Sequence, residues 1–230
     1  ALSLDDSIHL TTTTRNKKQV KKNVLYYDIY NCDFNKNLFE YFKFPDLILH
    51  CAWDKVKDVN NINHIENQLF FHTKFLENLI KNGIKKTVIL GTCFEYGKIN
   101  GRASETLKVN PITNYAKAKN HLRIHIESLN KDYDFIFQWI RIFYAYDKTG
   151  ETGNNIIYYL KKAIDSDEKG FNMTDGLKEL DFIEIIKVCF VIKKIILQSE
   201  INGIINCCSG RPQTILNLVN KCLKDWNQNI

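Results

Sequence analysis

Apolar positions along the chain fall into short runs and longer stripes, and their spacing separates strands from helices. The densest run is Thr87-Val88-Ile89-Leu90, which predicts a buried strand ending at Gly91-Thr92, where the backbone must turn at a sheet edge. Similar runs predict strands at Ile8 to Thr14, Val24 to Tyr27, Asp46 to His50 after Pro45, Phe135 to Phe143 and Ile204 to Cys207. Ile65, Leu69, Phe75, Leu76, Leu79 and Ile80 recur at roughly helical spacing, predicting a crossover helix within Ile62 to Asn82 that Gly83 stops. Further helices are predicted over Asn114 to Leu129, over Asn154 to Ile164, and from Ile215 to Trp226 behind a Thr214 N-cap. Phe171 to Asp181 reads as a hairpin.

Composition narrows this picture. With 230 residues, 44% of them hydrophobic, the chain can bury one substantial core with a small second lobe. The net charge of +6 comes from lysines scattered over several helices, without a basic stripe interleaved with aromatics, so nucleic acid is not the expected partner. An anionic ligand is compatible with it. Seven cysteines, an odd number without a Cys-x-x-Cys pair, read as reduced thiols of a cytoplasmic protein. The most apolar stretch, Phe182 to Leu197, is broken by Glu184, Lys187, Lys193 and Lys194, so no membrane span is expected.

The chemistry is expected where the Thr87 strand meets the Asn114 helix. Thr92 closes the strand, at the edge where open α/β sheets bind ligands. Tyr115 and Lys119 lie four residues apart and share a helix face. A neighbouring ammonium favours the phenolate, so the pair predicts a tyrosine with a lowered pKa that trades a proton with a sugar oxygen held by Thr92. Spacing alone selects nothing, since Tyr144/Lys148 and Tyr158/Lys162 match it too. The strand, Thr92, the Tyr96-Gly97 turn and Pro111 before the helix single out Tyr115. His121 and His125 stand four apart on the same helix but lack a third ligand in sequence, so they read as surface histidines.

Five ordered segments then carry a resemblance: GTCFEYG from Gly91, NYAKAK from Asn114, WIRIFYAY from Trp139, FNMTDG from Phe171 and INCCSGRPQTI from Ile205. Together they resemble the extended short-chain dehydrogenase/reductases acting on nucleotide sugars, and look closest to the sugar 4-keto reductases and epimerases among them. The resemblance implies an α/β fold, a Rossmann-type doubly wound parallel sheet with a small C-terminal substrate lobe. The division it suggests is residues 1–150 for the cofactor and 151–230 for the substrate. It also implies a nicotinamide cofactor, a nucleotide-sugar substrate, a homodimer, and a catalytic set carried onto Thr92, Tyr115 and Lys119. The family's first strand and glycine-rich turn find no counterpart, the first glycine being Gly83, and about twenty further residues are expected ahead of Ala1. The substrate lobe is likewise expected to continue past Ile230.

Other cofactor contacts follow in the same way. Arg15 comes after the second strand, where an arginine accepts a 2′-phosphate, which points to NADP with NAD as the alternative; an exposed basic loop is the competing reading. By resemblance, Asp28 accepts from the adenine amino group and Ile29 packs on the ring; a turn aspartate competes. Cys51, Ala52 and Trp53 end a strand that lies along the cofactor in the family, with Trp53 also readable as a lid or a core aromatic. Asn67 matches an asparagine that positions the cofactor-side loop, or is simply part of a polar helix face. Phe143 falls just after the strand that contacts nicotinamide and sugar. Asp147 replaces a usual glycine, and Leu180 stands where the family has an arginine before Asp181-Phe182.

Three functions compete: an NADP-dependent 4-keto-6-deoxy-sugar reductase serving surface polysaccharide synthesis, an NAD-retaining 4-epimerase, and a catalytically silent remnant or binding protein. A dehydratase fits less well, because Cys93-Phe94 replaces the acidic pair such enzymes carry after the threonine.

Overall fold

The computed structural model describes residues 7–228, which form two compact units. The first runs to Arg141 and takes in Lys193–Ile205; the second comprises Ile142–Ile192 and the chain from Asn206 onward. In the first unit, β1 (Thr12–Thr14) and β2 (Val24–Tyr26) form a parallel pair in register Thr12 with Val24. β1 is much shorter than the predicted Ile8 to Thr14. Its polar, threonine-rich sequence leaves most of it exposed, so there is little apolar surface to hold a longer ladder.

The main sheet is ordered β3 (Ile48–His50), β4 (Lys86–Thr92), β5 (Ile136–Ile142) and β9 (Gly203–Cys207). β3 and β4 are parallel, with Leu49 opposite Val88. β4 is buried along nearly its whole length, as a central strand covered on both faces must be. Two helices complete this unit. α2 (Leu69–Lys81) buries Phe75, Leu76, Leu79 and Ile80. α3 (Asn114–Leu129) buries Leu122, Ile126 and Leu129 against the same cluster, which also holds Ile89, Phe137 and Trp139. α3 starts and ends where the sequence predicts, because its signals are local: Thr113 accepts the Ala116 N–H as N-cap, and Pro111 precedes it. The predicted crossover helix instead opens with a single π-helical turn, His64–Gln68, before α2 begins. The short α1 (Leu38–Tyr41) packs against α2.

The second unit has its own core of Tyr146, Ile157, Leu160, Leu218, Val219 and Cys222. It contains β6 (Tyr144–Tyr146), α4 (Ile156–Asp165), β7 (Glu179–Leu180), β8 (Phe182–Glu184), β10 (Gln213–Thr214) and α6 (Ile215–Asp225). The Phe171 to Asp181 hairpin does not form. β7 instead pairs antiparallel with β10, and β8 pairs parallel with β6, so both partners come from distant sequence. The apolar stretch after β8 becomes α5 (Ile185–Ile196). Among the described residues no helix is long and apolar enough to cross a membrane.

Candidate active site

β4 delivers Thr92 to the end of the sheet, and a 3-10 turn, Cys93–Tyr96, follows at once. Thr92 caps that turn: its hydroxyl oxygen accepts the Phe94 N–H at 3.3 Å, and the Glu95 carboxylate accepts the Thr92 N–H at 2.9 Å. α3 supplies the other two groups from its first turns. The loop after β3 holds the helix start, since Tyr115 N–H donates to Val59 O at 2.8 Å and Asn114 Nδ2 to Asn60 O at 2.7 Å. The Thr92 hydroxyl lies close enough to the Tyr115 phenol to favour its ionised form. Two oxygens able to address one substrate oxygen therefore sit side by side.

Lys119 departs from its expected part. It is only 2% exposed, and its ammonium donates to Leu90 O at 2.9 Å while lying 4.1 Å from the Trp53 ring centroid. Burial pulls its pKa down to about 7, against the raising influence of Glu95 and Cys51. The lowered tyrosine pKa is not found: burial pushes the Tyr115 phenol up, Glu95 adds to this, and the neighbouring Thr92 hydroxyl only partly offsets it. The physical reason is that desolvation outweighs an ammonium committed to a carbonyl and an indole face.

Trp53 forms the wall beside both groups. Its ring stacks on His72 with centroids 4.5 Å apart, and it meets Tyr115 edge-on at 6.1 Å. The indole N–H donates to His64 Nδ1 at 3.0 Å, and His64 Nε2 bonds Asp58 O at 2.9 Å, which places the histidine proton on Nε2. Gln68 secures the next residue: its Oε1 accepts the Asp54 N–H at 2.6 Å and its Nε2 donates to Asp54 O at 3.0 Å. His50 Nε2 and His72 Nδ1 stand 2.9 Å apart; burial lowers both pKa values, that of His50 to about 3, so the pair is neutral.

The remaining expected cofactor residues divide by what they touch. Arg15 forms a two-pronged ion pair with Asp54 at 2.7 and 2.6 Å, beneath which lies the Tyr30 ring. Asp28 caps a short turn, accepting from Tyr30 N–H and Asn31 Nδ2, and Ile29 is buried in the core. Asn67 is exposed and donates to Asn63. Cys51 and Ala52 are exposed at the end of β3, with Cys51 close enough to influence Lys119. Phe143 belongs to the second unit, where its N–H donates to Cys207 O.

The sequence reading overlooked His64, Gln68 and His72, a polar stripe at spacing four on a helix read for its apolar face. It also overlooked Glu95, Trp139 and Arg141. The alternation of Trp139 and Arg141 along one strand face was the available signal. Among the described residues no group of three or more potential metal ligands occurs, and His121 is exposed.

An ammonium carries three donors and Leu90 O takes one, so Lys119 retains N–H donors that would suit the hydroxyls of a bound ribose.

Three comparisons bear on this geometry. The sequence model of the NAD dependent epimerase/dehydratase family matches residues 3–208. A dTDP-6-deoxy-L-talose 4-dehydrogenase (NAD(+)) of Aggregatibacter actinomycetemcomitans is 29% identical over 188 residues, covering 80% of this chain and 68% of that protein. Among solved structures, the UDP-glucose 4-epimerase of Thermotoga maritima superposes with a TM-score of 0.79 at 18% identity, over 94% of this chain and 72% of the other. The UDP-N-acetylglucosamine 4-epimerase of Methanobrevibacter ruminantium gives 0.76 at 22% identity, over 91% and 69%. At such identities the structural likeness speaks for a shared Rossmann-type fold.

Proposed function

This chain belongs to the NAD dependent epimerase/dehydratase family, and on that footing we propose that it reduces the 4-keto group of a nucleotide-linked 4-keto-6-deoxy sugar with a nicotinamide dinucleotide, supplying a deoxysugar for surface polysaccharide. The observation that carries the reading is the convergence of the Thr92 end of β4 with Tyr115 in the first turn of α3, and the Lys119 ammonium buried on the same helix face. The 4-dehydrogenase of A. actinomycetemcomitans, more similar in sequence than the 4-epimerases quoted, supports reduction over epimerisation. Cys93-Phe94 in place of an acidic pair argues against dehydration.

A nicotinamide dinucleotide, when bound, would supply the hydride that C4 receives. Tyr115 gives the proton that completes the alcohol, and burial suits it to this direction by keeping the phenol protonated at neutral pH. Thr92 donates a hydrogen bond to the same oxygen and so stabilises the charge that builds there. Lys119 holds ribose hydroxyls, and with a pKa of about 7 it exchanges its proton readily near neutrality. Trp53 shields the centre from water on one side.

On the cofactor, Arg15 is the main argument for NADP, supported by the basic run Lys17-Lys18, and its guanidinium is already paired with Asp54. A 2′-phosphate would meet that carboxylate as well, so the pair favours NAD.

The test is consumption of NADH or NADPH with freshly generated dTDP- and UDP-4-keto-6-deoxy sugars. Turnover is expected, reduced by on the order of 10³-fold in Tyr115→Phe, which keeps the ring and loses the proton. Interconversion of two sugar nucleotides without net consumption would favour the 4-epimerase. Silence with every sugar would favour a non-catalytic binding protein.

A further inference from the structure

The turn that carries Thr92 is anchored by a carboxylate that the hydride chemistry does not itself require. Glu95 is fully buried. Its Oε1 accepts the Thr92 N–H at 2.9 Å, its two oxygens receive the Trp139 indole N–H at 2.9 and 3.1 Å, and Oε2 accepts Arg141 Nε at 2.9 Å. Arg141 is buried too; its guanidinium lies 4.4 Å from the Tyr96 ring centroid, and Nη1 and Nη2 have no hydrogen-bond partner. Burying an ion pair with unsatisfied donors is costly, and apolar replacements are often no less stable, so stability alone does not explain the cluster.

The strand has also made room for it. A Cβ added at Gly91 would come within 2.1 Å of Trp139 Nε1 and 2.7 Å of Glu95 Oε1. Only a residue without a side chain lets the indole and the carboxylate close on β4 one step before Thr92.

Glu95 fixes the Thr92 N–H, and the Thr92 hydroxyl oxygen accepts from Phe94 N–H, so the residue is held at both its backbone and its side chain next to Tyr115. We propose that Glu95, clamped by Trp139 and Arg141, is a positioning residue that fixes Thr92, and with it the hydroxyl that serves the substrate oxygen, beside Tyr115. It touches neither substrate nor cofactor and acts through Thr92. The assignment rests on Thr92, Tyr115 and Lys119 being the reductase centre.

Two variants test it. Glu95→Gln keeps the size but removes the charge. The triple variant Glu95→Leu, Trp139→Phe, Arg141→Leu removes every polar member at once, so no charge of the cluster is left buried without its partner. Steady-state kinetics with NADH and a dTDP-4-keto-6-deoxy sugar are measured beside melting temperature and hydrogen exchange at the Thr92 amide. In both variants kcat is expected to fall ~10- to 100-fold with KM for either substrate within about twofold, the signature of an interaction used in the transition state. Thr92 exchange is expected to quicken by at least about tenfold while Val88 and Ile89 stay protected.

A folded variant of either kind with wild-type kcat overturns the proposal, as does failure of both to fold, which would make the cluster a stabilising one. Absence of turnover in the wild-type protein would instead refute the reductase reading. Thr92 exchange would then still decide, unchanged protection in Glu95→Gln overturning the positioning role.

Discussion

Lys119 illustrates how burial sets the behaviour of single residues here. Its pKa is near 10.5 in an unfolded chain and about 7 in the fold, so between these values the unfolded state binds more protons and stability rises with pH. Lys119→Met should therefore stabilise the cofactor-free protein by several kcal/mol at pH 7, since each tenfold loss of proton affinity on folding is worth about 1.4 kcal/mol, and by progressively less toward pH 10.5. Urea unfolding of both proteins across that range checks this, and an equal difference at every pH would contradict it. His50 works in the same sense at lower pH: its contribution is complete above about 6.5 and is lost as pH falls toward 3. The Arg15–Asp54 pair belongs to this scale as well. Half exposed, it adds only about 0–1 kcal/mol to stability, but Asp54 governs what Arg15 can bind. Asp54→Asn should raise kcat/KM for NADPH relative to NADH by about tenfold, equivalent to 1.4 kcal/mol. An unchanged ratio would remove Arg15 from the cofactor site.

At the scale of elements, β4 organises the molecule from both ends. Its carboxyl end presents Thr92, and its first residue, Lys86, reaches the C-terminal end of α5, donating to Ile195 O at 3.2 Å, Ile196 O at 2.7 Å and Gln198 O. Ile195 and Ile196 supply the last carbonyls of α5 and Gln198 lies just beyond it, so one buried ammonium bonds three carbonyls at this helix end. Lys86→Met should cost about 2–3 kcal/mol in urea unfolding, whereas an unchanged midpoint would show that the carbonyls find other donors. What was legible in the sequence follows the same division. The bounds of α3 and the run of β4 were readable because capping, proline and β-branched signals act within a few residues. The partners of β7 and β8 were not, since Gln213–Thr214 and Tyr144–Tyr146 reach them only through tertiary packing. The π-helical turn left no separate mark either, because His64, Gln68 and His72 show their purpose only with Trp53 and His50 beside them.

For the molecule as a whole, the family and the Rossmann-type fold agree with the expectations drawn from five short segments, and the proposed catalytic trio lies within one compact unit. Thr92, Tyr115 and Lys119 could be picked out because two of them share one helix and the third ends the adjacent strand. Glu95, Trp139 and Arg141 could not, because their meeting depends on β4 and β5 being neighbours. The electrostatics also depended on depth: spacing suggested an activated phenolate, while burial keeps the phenol protonated and shifts the lysine instead. Both features suit delivery of a proton to a ketone as hydride arrives. The most direct measurement is therefore the fate of the hydride: NADH deuterated on either face of C4 is incubated with a dTDP-4-keto-6-deoxy sugar, and the product is examined by mass spectrometry and NMR. One deuterium at C4 of the sugar from one of the two labels and none from the other, with no labelled product from Tyr115→Phe, is the expected result. An epimerised sugar nucleotide free of deuterium, or no product at all, would contradict the reductase.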